Sequence, residues 1–306
     1  MSRRRSLLLL LFLSGCSAHK VIEASRLNTQ SNYCAPTIAY TYDPADLPLR
    51  NPDSLVRLDS SLSRALSPHD LLTANAIGAL PLILELLRTS GLHRLEVKVH
   101  IHDRLLSAST EINSVAAELD CEGERADQLG IYLDNLNKKR SNLLTAASIL
   151  AAAGTTLATV LVNGDGAKNA VAISGGLLSA GLTAFTISPR GRRIRLLHDR
   201  NLLRDVWYAP AASTVYPPSV WYILREKAFS NGGQVSLLES IHRRWIEFEL
   251  NGQPDSARQA LLFGGGGVYS ADDLHTRANM LNQLQATVRA INQDLQGLML
   301  ALDRLP

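Results

Sequence analysis

Three neighbouring residues have side chains of the types that bind metal ions. His100, His102 and Asp103 offer two imidazoles and a carboxylate, which are ligands that zinc uses. On a strand, positions i and i+2 share a face, so the two histidines would form a pair. On a helix the same positions point to different faces and do not converge on one ion. Residues 95–102 alternate as a strand would, but a lone strand needs a partner, which favours a helix and no metal site.

Other signatures of catalysis are missing from the sequence. It contains no Gly-x-Ser-x-Gly elbow, no His-Glu-x-x-His motif and no Cys-x-x-Cys pair. The glycines at 264–267 lack the Lys-Ser/Thr of a phosphate-binding loop, so we interpret them as a flexible hinge. We therefore expect no catalytic residue, no metal, no cofactor and no small-molecule substrate. An enzyme, the alternative, would need a polar cleft that the sequence does not locate.

The N-terminus has the pattern of a targeting segment. Arginines at 3–5 precede an apolar run over 7–13, and this order is typical of a secretory signal peptide over residues 1–15. The tetrapeptide Leu13-Ser14-Gly15-Cys16 resembles a bacterial lipobox. That resemblance implies cleavage before Cys16, acylation of Cys16 and attachment to a lipid bilayer. Because Ser17 rather than aspartate follows Cys16, the resemblance also implies that the protein is anchored in the outer membrane and faces the periplasm. The alternative is an ordinary signal peptide with a coincidental cysteine.

The two remaining cysteines make an even number. If Cys16 is lipidated, Cys34 and Cys121 are left in an oxidising compartment, where disulfides form and persist. We therefore predict a Cys34–Cys121 disulfide that fixes the N-terminal segment to the helical body. The alternative is a pair of free buried thiols.

Composition and charge narrow the class of protein. Hydrophobic residues make up 46% of the 306 residues and aromatics 5%, and a chain so rich in leucine and alanine favours helices. Of the 31 basic residues, three lie within residues 1–15, which leaves 28 against 28 acidic residues. A net charge of zero argues against a nucleic-acid-binding protein, which would carry an excess of basic residues.

Two segments carry heptad patterns typical of long, packed helices. In the first, near 93–142, apolar residues recur every seven positions, with Glu122 as a polar interruption. Gly123 and Gly130 lie on a neighbouring row, where another backbone could approach. The second lies near 271–305. The simplest arrangement buries the two seams against each other in antiparallel fashion, and the alternative is self-association between chains. In the first segment one row is Leu105, Ile112, Leu119, Ala126 and Leu133, and the other is Ile101, Ala108, Val115, Leu129, Leu136 and Leu143. In the second segment one row is Leu274, Leu281, Val288, Leu295 and Leu302, and the other is Leu284, Ile291, Leu298 and Leu305.

An apolar segment over 143–187 separates the two heptad regions. Residues 143–162 and 170–187 contain no charge, and a turn over 163–169 joins them. A helix that is apolar on all sides is either buried or in lipid, so this hairpin predicts a membrane element or an element buried in the bundle or in a protein interface. Small residues allow close helix contact, and those we assign to the hairpin surface are Ala151, Gly154, Ala172, Gly176, Ala180 and Ala184.

The base of the hairpin is basic. Such a cluster suits anionic headgroups, although basic flanks on the periplasmic side conflict with insertion into the inner membrane. Spans of the outer membrane are usually β-barrels. The residues that we predict to face headgroups are Lys138, Lys139, Arg140, Arg190, Arg192 and Arg193.

The rest of the chain completes the predicted organisation. Residues 16–66 are expected to be a lipidated tether and loop-rich lead-in, followed by a helical domain over 67–306. Ser67 and Pro68 are expected to begin a helix that runs towards Arg88 with a kink at Pro81. A small helical subdomain is expected near 200–255.

Together these patterns predict an all-α, elongated antiparallel bundle that carries an apolar hairpin. This architecture is similar to that of α-helical pore-forming toxins, including pore-forming colicins, although a shared architecture does not establish function. We expect a non-enzymatic envelope lipoprotein that acts in structure or assembly through helix–helix contacts with a protein partner or another copy. The alternative is a membrane-inserting protein that uses the hairpin.

Overall fold

The computed structural model describes residues 21–27, 33–38, 40–162, 164–187 and 191–305, without the side chains of residues 58 and 183–187. Cys16 and Arg190 lie outside these residues. The described part is an all-α, elongated bundle, as predicted, and it also contains one small sheet. Its helices are α1 Pro52–Leu58, α2 Ser61–Ala65, α3 Pro68–Ala76, α4 Leu80–Arg88, α5 Gly91–Leu161, α6 Asp165–Ile187, α7 Leu202–Tyr208, α8 Pro218–Arg225, α9 Leu237–Arg244, α10 Ser256–Phe263 and α11 Ala271–Leu302. Its strands are β1 Val21–Glu23, β2 Arg193–Leu197 and β3 Gly266–Tyr269. Short 3-10 turns lie at Ala24–Leu27, Pro44–Asp46 and Lys227–Phe229, and a π-helical turn at Trp245–Glu249.

The two heptad segments form α5 and α11, which pack antiparallel along most of the length of α11. The apolar positions from Ile101 to Leu133 are buried, as are those from Leu274 to Leu298. Contacts at the two ends fix the direction, since His275 reaches Asp127 while Asn292 reaches Asn113. The antiparallel prediction is therefore confirmed, and the seams are filled within one chain.

The polar interruption and the glycines of α5 serve this packing. Glu122 is buried beside Arg125, with 3.1 Å between Oε1 and Nη1. A Cβ on Gly123 would lie 2.7 Å from the Asn282 Oδ1 atom, and one on Gly130 would lie 2.8 Å from the ring of His275. Both distances are shorter than real contacts, so these two positions allow α11 to approach α5 closely.

The first helices differ from the predicted single kinked helix. Ser67 caps α3 by accepting a hydrogen bond from the Asp70 amide at 3.1 Å. The chain then breaks at Gly78, which has φ +68°, and α3 and α4 meet at 116°. The prediction of a kink at Pro81 is wrong, because Pro81 lies in the first turn of α4, where a missing amide costs nothing.

The predicted lead-in contributes to the body of the protein. Residues 52–65 form α1 and α2 rather than a loop, and Leu62 is completely buried in the same core as α4 and α5. Asp59, between α1 and α2, forms an ion pair with Arg88 at the end of α4. Residues 52–65 therefore pack with the helical body.

Three short strands form a sheet that the sequence did not predict. β2 lies in the middle, parallel to β1 and antiparallel to β3. β3 comes from the glycine run interpreted as a hinge, so that interpretation is wrong. Gly266 has φ +84°, and a Cβ there would lie 2.4 Å from the Leu196 carbonyl oxygen, which explains why glycine occupies a strand position.

The predicted disulfide is confirmed. Cys34 and Cys121 are joined, with a Cα–Cα distance of 5.7 Å. The bond attaches the extended N-terminal segment to the middle of α5, as expected.

The predicted subdomain near 200–255 contains α7, α8 and α9. Its tryptophans act as packing residues, since Trp245 is completely buried and the Trp207 ring stacks on Phe263 at 4.1 Å between centroids. These contacts position the loop over 209–217, which borders the cleft described below.

Candidate membrane-facing hairpin and polar cleft

The hairpin projects from the bundle as a continuation of α5. No break separates the heptad region from the apolar arm, because α5 runs from Gly91 to Leu161 without interruption. This helix is long and apolar enough to cross a membrane, with an 18-residue window of mean hydropathy 1.7, and none of that window is buried. The large apolar side chains that the hairpin exposes are Leu143, Ile149, Leu150, Leu157, Val160, Leu161, Ile173, Leu177 and Leu178.

This exposure decides between two of the sequence interpretations. A hairpin buried in its own bundle would have these side chains in the core, but Leu157 is 66% exposed and Val160 is 75% exposed. Burial within the bundle is therefore wrong for the described part of the chain. The bilayer and an intermolecular interface remain as environments for the arms.

The two arms contact each other through a face of α6 that lies beside the stripe of small residues assigned to the hairpin surface. A Cβ on Gly175 would lie 1.8 Å from Thr155 Oγ1, and Ser179 Oγ donates to the Ser148 carbonyl at 3.4 Å. Val171, four residues before Gly175, is half-buried on the same face. The arms therefore meet along a stripe one residue away from Ala172, Gly176 and Ala180.

The predicted hairpin residues face outward. Ala172, Gly176 and Ala180 are exposed, and the space around a Cβ on Gly176 is open to 4 Å. Gly154 is equally open, Ala151 is half-buried, and the side chain of Ala184 lies outside the described residues. Two stripes of small residues run along α6, and the rotation of the helix leaves this one available to another molecule.

The basic residues at the base form a collar around the hairpin. The Asn137 Oδ1 atom accepts a hydrogen bond from the Arg192 amide at 2.8 Å, which joins the chain after α6 to α5 at this level. The exposed members of the collar on the described residues are Lys138, Lys139, Arg140, Arg192 and Arg193. The collar residues that the sequence identified are thus brought together, except Arg190, which lies outside the described residues.

A polar cleft that the sequence did not predict lies along α5 over residues 104–118, on the N-terminal side of the collar. Its volume is about 910 Å³, within the range of small-molecule sites. One wall is formed by residues 36, 38, 40–43, 46 and 47, another by the loop over 213–217 with the start of α8, and the floor is a face of α5. The floor residues are Arg104, Ser107, Glu111, Ser114 and Glu118.

Glu111 lies at the centre of the cleft. The Ser219 hydroxyl donates to Glu111 Oε2 at 2.5 Å, and the Tyr42 hydroxyl is a second hydrogen-bond partner. Burial raises the pKa of Glu111, although these hydrogen bonds oppose the rise. Burial, reinforced by the charge of Glu111, raises the pKa of Tyr42 to about 12. The carboxylate is thus held by neutral hydroxyls.

Ion pairs flank Glu111 on both sides. Arg200 donates to both oxygens of Glu118, at 2.7 and 3.3 Å, and Arg104 pairs with Asp46. Burial raises the pKa of Glu118, and Arg200 opposes the rise. The cleft can therefore offer a carboxylate and hydroxyls to a ligand with ammonium or hydroxyl groups. The signal for it was the three- and four-residue spacing of the floor residues, which places them on one face of a helix.

The histidine cluster lies on a helix, where His100 and His102 point to different faces. His100 and His102 are exposed on α5, and His102 Nδ1 lies 2.8 Å from the Lys98 carbonyl oxygen. Among the described residues, no group of three or more His, Cys, Asp and Glu side chains could hold a metal ion. The helix that the sequence favoured over a strand is present at this position.

No family model, curated protein or solved structure matches this chain.

Proposed function

We propose that this protein is a cell-envelope lipoprotein, anchored in the outer membrane through acylated Cys16, whose hairpin enters a lipid bilayer. The observation that carries the proposal is the exposure of the apolar side chains on both arms. Burying one large aliphatic side chain is worth about 1.5–3 kcal/mol. An uncovered hairpin of this composition is therefore costly in water and is stabilised by an apolar environment.

The length and charge of the hairpin fit a bilayer. Residues 143–161 of α5 extend about 27 Å at 1.5 Å per residue, close to the roughly 30 Å of a hydrocarbon core. The collar precedes this stretch and would lie among headgroups, where each Lys or Arg near an anionic surface contributes about 1 kcal/mol. Asp165 and Lys168 are exposed at the opposite end, where the turn would meet the second interface.

Assembly through helix–helix contacts is the second candidate. The heptad seams are filled within the chain, so they do not offer a surface to a partner in this conformation. The exposed stripe of Ala172, Gly176 and Ala180 does offer one. Small residues at this spacing allow helices to associate inside a bilayer, so a homo-oligomer or a protein partner would use the hairpin rather than the seams.

Vesicle flotation with matched variants tests the proposal. The mature protein carries Cys16→Ser, so that no acyl chain assists, and Leu157→Asp is compared with Leu106→Asp. The two leucines are 66% and 69% exposed on the same helix, but only Leu157 lies in the hairpin. An aspartate costs about 2.5–3.5 kcal/mol at the centre of a membrane helix and less towards its ends. Leu157 lies about 6 Å before the end of the stretch, so Leu157→Asp should lower binding by up to about 100-fold and Leu106→Asp should leave it unchanged.

The vesicle composition and a protease supply the second part of the test. Binding should be stronger to vesicles containing phosphatidylglycerol than to neutral ones, and replacing Lys138, Lys139 and Arg193 with glutamine should remove that preference. Residues 143–187 should become protected from protease. If the Cys16→Ser protein stays in the aqueous phase and is folded, or if Leu106→Asp is as damaging as Leu157→Asp, the hairpin is not a membrane element.

A further inference from the structure

The pairing of β1 fixes the level at which the N-terminal chain joins the body. Val21 pairs with Arg193 of the collar, and β1 runs parallel to β2. β2 leads away from the hairpin, since Arg200, a few residues after it, contacts Glu118. Glu118 lies about 28 Å along α5 from Asn137, where the collar is joined. β1 therefore begins at the level of the collar, on the hairpin side of the sheet.

The length of the preceding chain limits where an anchor on Cys16 lies. Four residues lie between Cys16 and Val21, and the five Cα–Cα steps that join these two residues span at most about 18 Å when fully extended. The opposite end of the bundle, at Gly91, lies about 70 Å from Asn137 along α5. An anchor on Cys16 is therefore within reach of headgroups at the collar and out of reach of a membrane at the far end.

We propose that the acylated N-terminus and the hairpin enter the same bilayer from the same side. This inference rests on the proposed function and adds the geometry of attachment. The bundle then stands away from the membrane as a stalk about 70 Å long, and α1 to α4 form its outer end. The alternative geometry, with the anchor in one membrane and the hairpin in another, would require the N-terminal chain to leave the body at the end opposite the collar.

Attachment to one bilayer has a measurable consequence for affinity. When the acyl anchor and the hairpin bind the same surface, the affinity of the whole protein for that surface exceeds the affinity of either element alone by roughly 100-fold or more. Attachment to two membranes would instead draw vesicles together. Clustering of vesicles therefore separates the two geometries.

Contact quenching on the full-length acylated protein tests the inference. A bimane label is placed through Leu157→Cys in the hairpin or, as the matched control, through Leu92→Cys at the far end of the same helix. These residues are 66% and 83% exposed and about 98 Å apart along α5. The host vesicles contain phosphatidylethanolamine and phosphatidylglycerol, and brominated lipid is present either in them or in a second population added later.

The expected result is loss of Leu157→Cys fluorescence only when the brominated lipid is in the host vesicles, with no loss for Leu92→Cys and no clustering. Loss only when the brominated lipid is in the added vesicles, together with clustering, would overturn the shared bilayer while leaving the hairpin as a membrane element. The absence of any loss at position 157 overturns both proposals. Val160→Cys, 75% exposed, repeats the measurement should Leu157→Cys fail to fold.

Discussion

Replacing Gly175 with alanine should separate the arms of the hairpin, whereas the same change at Gly176 should leave them in place. The built Cβ at 175 lies 1.8 Å from Thr155 Oγ1, 2.4 Å from its Cγ2 and 2.6 Å from its Cβ. Rotation of the threonine side chain moves the first two atoms but not the Cβ. The Thr155 hydroxyl also donates to the Ala151 carbonyl at 2.7 Å, so the clash has to be relieved by moving the helices.

The two variants differ in the sign of their effect. Overpacking costs about 1–3 kcal/mol, and glycine to alanine inside a helix gains about 0.5–1 kcal/mol. Gly175→Ala should therefore lower the free energy of opening the hairpin by about 0.5–2 kcal/mol. Gly176→Ala, with open space to 4 Å, should raise it by about 0.5–1 kcal/mol.

Hydrogen exchange of the hairpin amides measures these values, because the hairpin is expected to open locally without global unfolding. At about 1.4 kcal/mol for each factor of ten, exchange should become roughly 2- to 30-fold faster in Gly175→Ala. It should become roughly 2- to 5-fold slower in Gly176→Ala. Adding Thr155→Gly, which removes the clashing atoms, should restore slow exchange in Gly175→Ala. Equal exchange in the two alanine variants would refute the contact face described above.

Three further predictions concern the bundle. Leu119→Ala should lower the free energy of unfolding by about 2–5 kcal/mol, because Leu119 is completely buried in the seam. Chemical denaturation measures this free energy, and an unchanged value would contradict the buried seam. Reducing Cys34–Cys121, which closes a loop of 87 residues, should cost up to about 4–5 kcal/mol, read from the same experiment with and without reductant. Burial lowers the pKa of His275, but hydrogen bonds with Asp134 and Asp127 outweigh this and raise the pKa overall. Its contribution to stability should be complete below about pH 6.5 and lost as the pH rises through the raised pKa, and His275→Gln should remove that part of the pH dependence.

The sequence predicted the parts of the fold that are encoded by periodicity. The seam from Ile101 to Leu133 and its partner from Leu274 to Leu298 follow from heptads, because a helix buries one face whatever else surrounds it. The disulfide followed from the count of cysteines and the expected compartment. The sheet could not be predicted, since β1 and β3 are short and gain their partner β2 only after the chain has folded.

The hairpin and its small residues could be predicted from the sequence, but the face through which the two arms meet could not. Two stripes on α6 satisfy the four-residue spacing, one at 171, 175 and 179 and the other at 172, 176 and 180. The sequence alone does not say which of them faces the other arm of the hairpin, at the end of α5. The contact between Asn137 and Arg192 helps to fix this rotation, and it joins residues 55 positions apart. The cleft was missed for the same reason, because Tyr42 and Ser219 meet Glu111 only in the folded chain.

The continuity of α5 bears on how the hairpin would enter a membrane. A hairpin buried in its bundle would need the bundle to open before insertion. Here the arms lie outside the core, and the seam that contains Leu119 and Val288 ends before them. Insertion therefore requires no loss of the bundle, and because one unbroken helix joins the two parts, the bundle must follow the tilt of the hairpin.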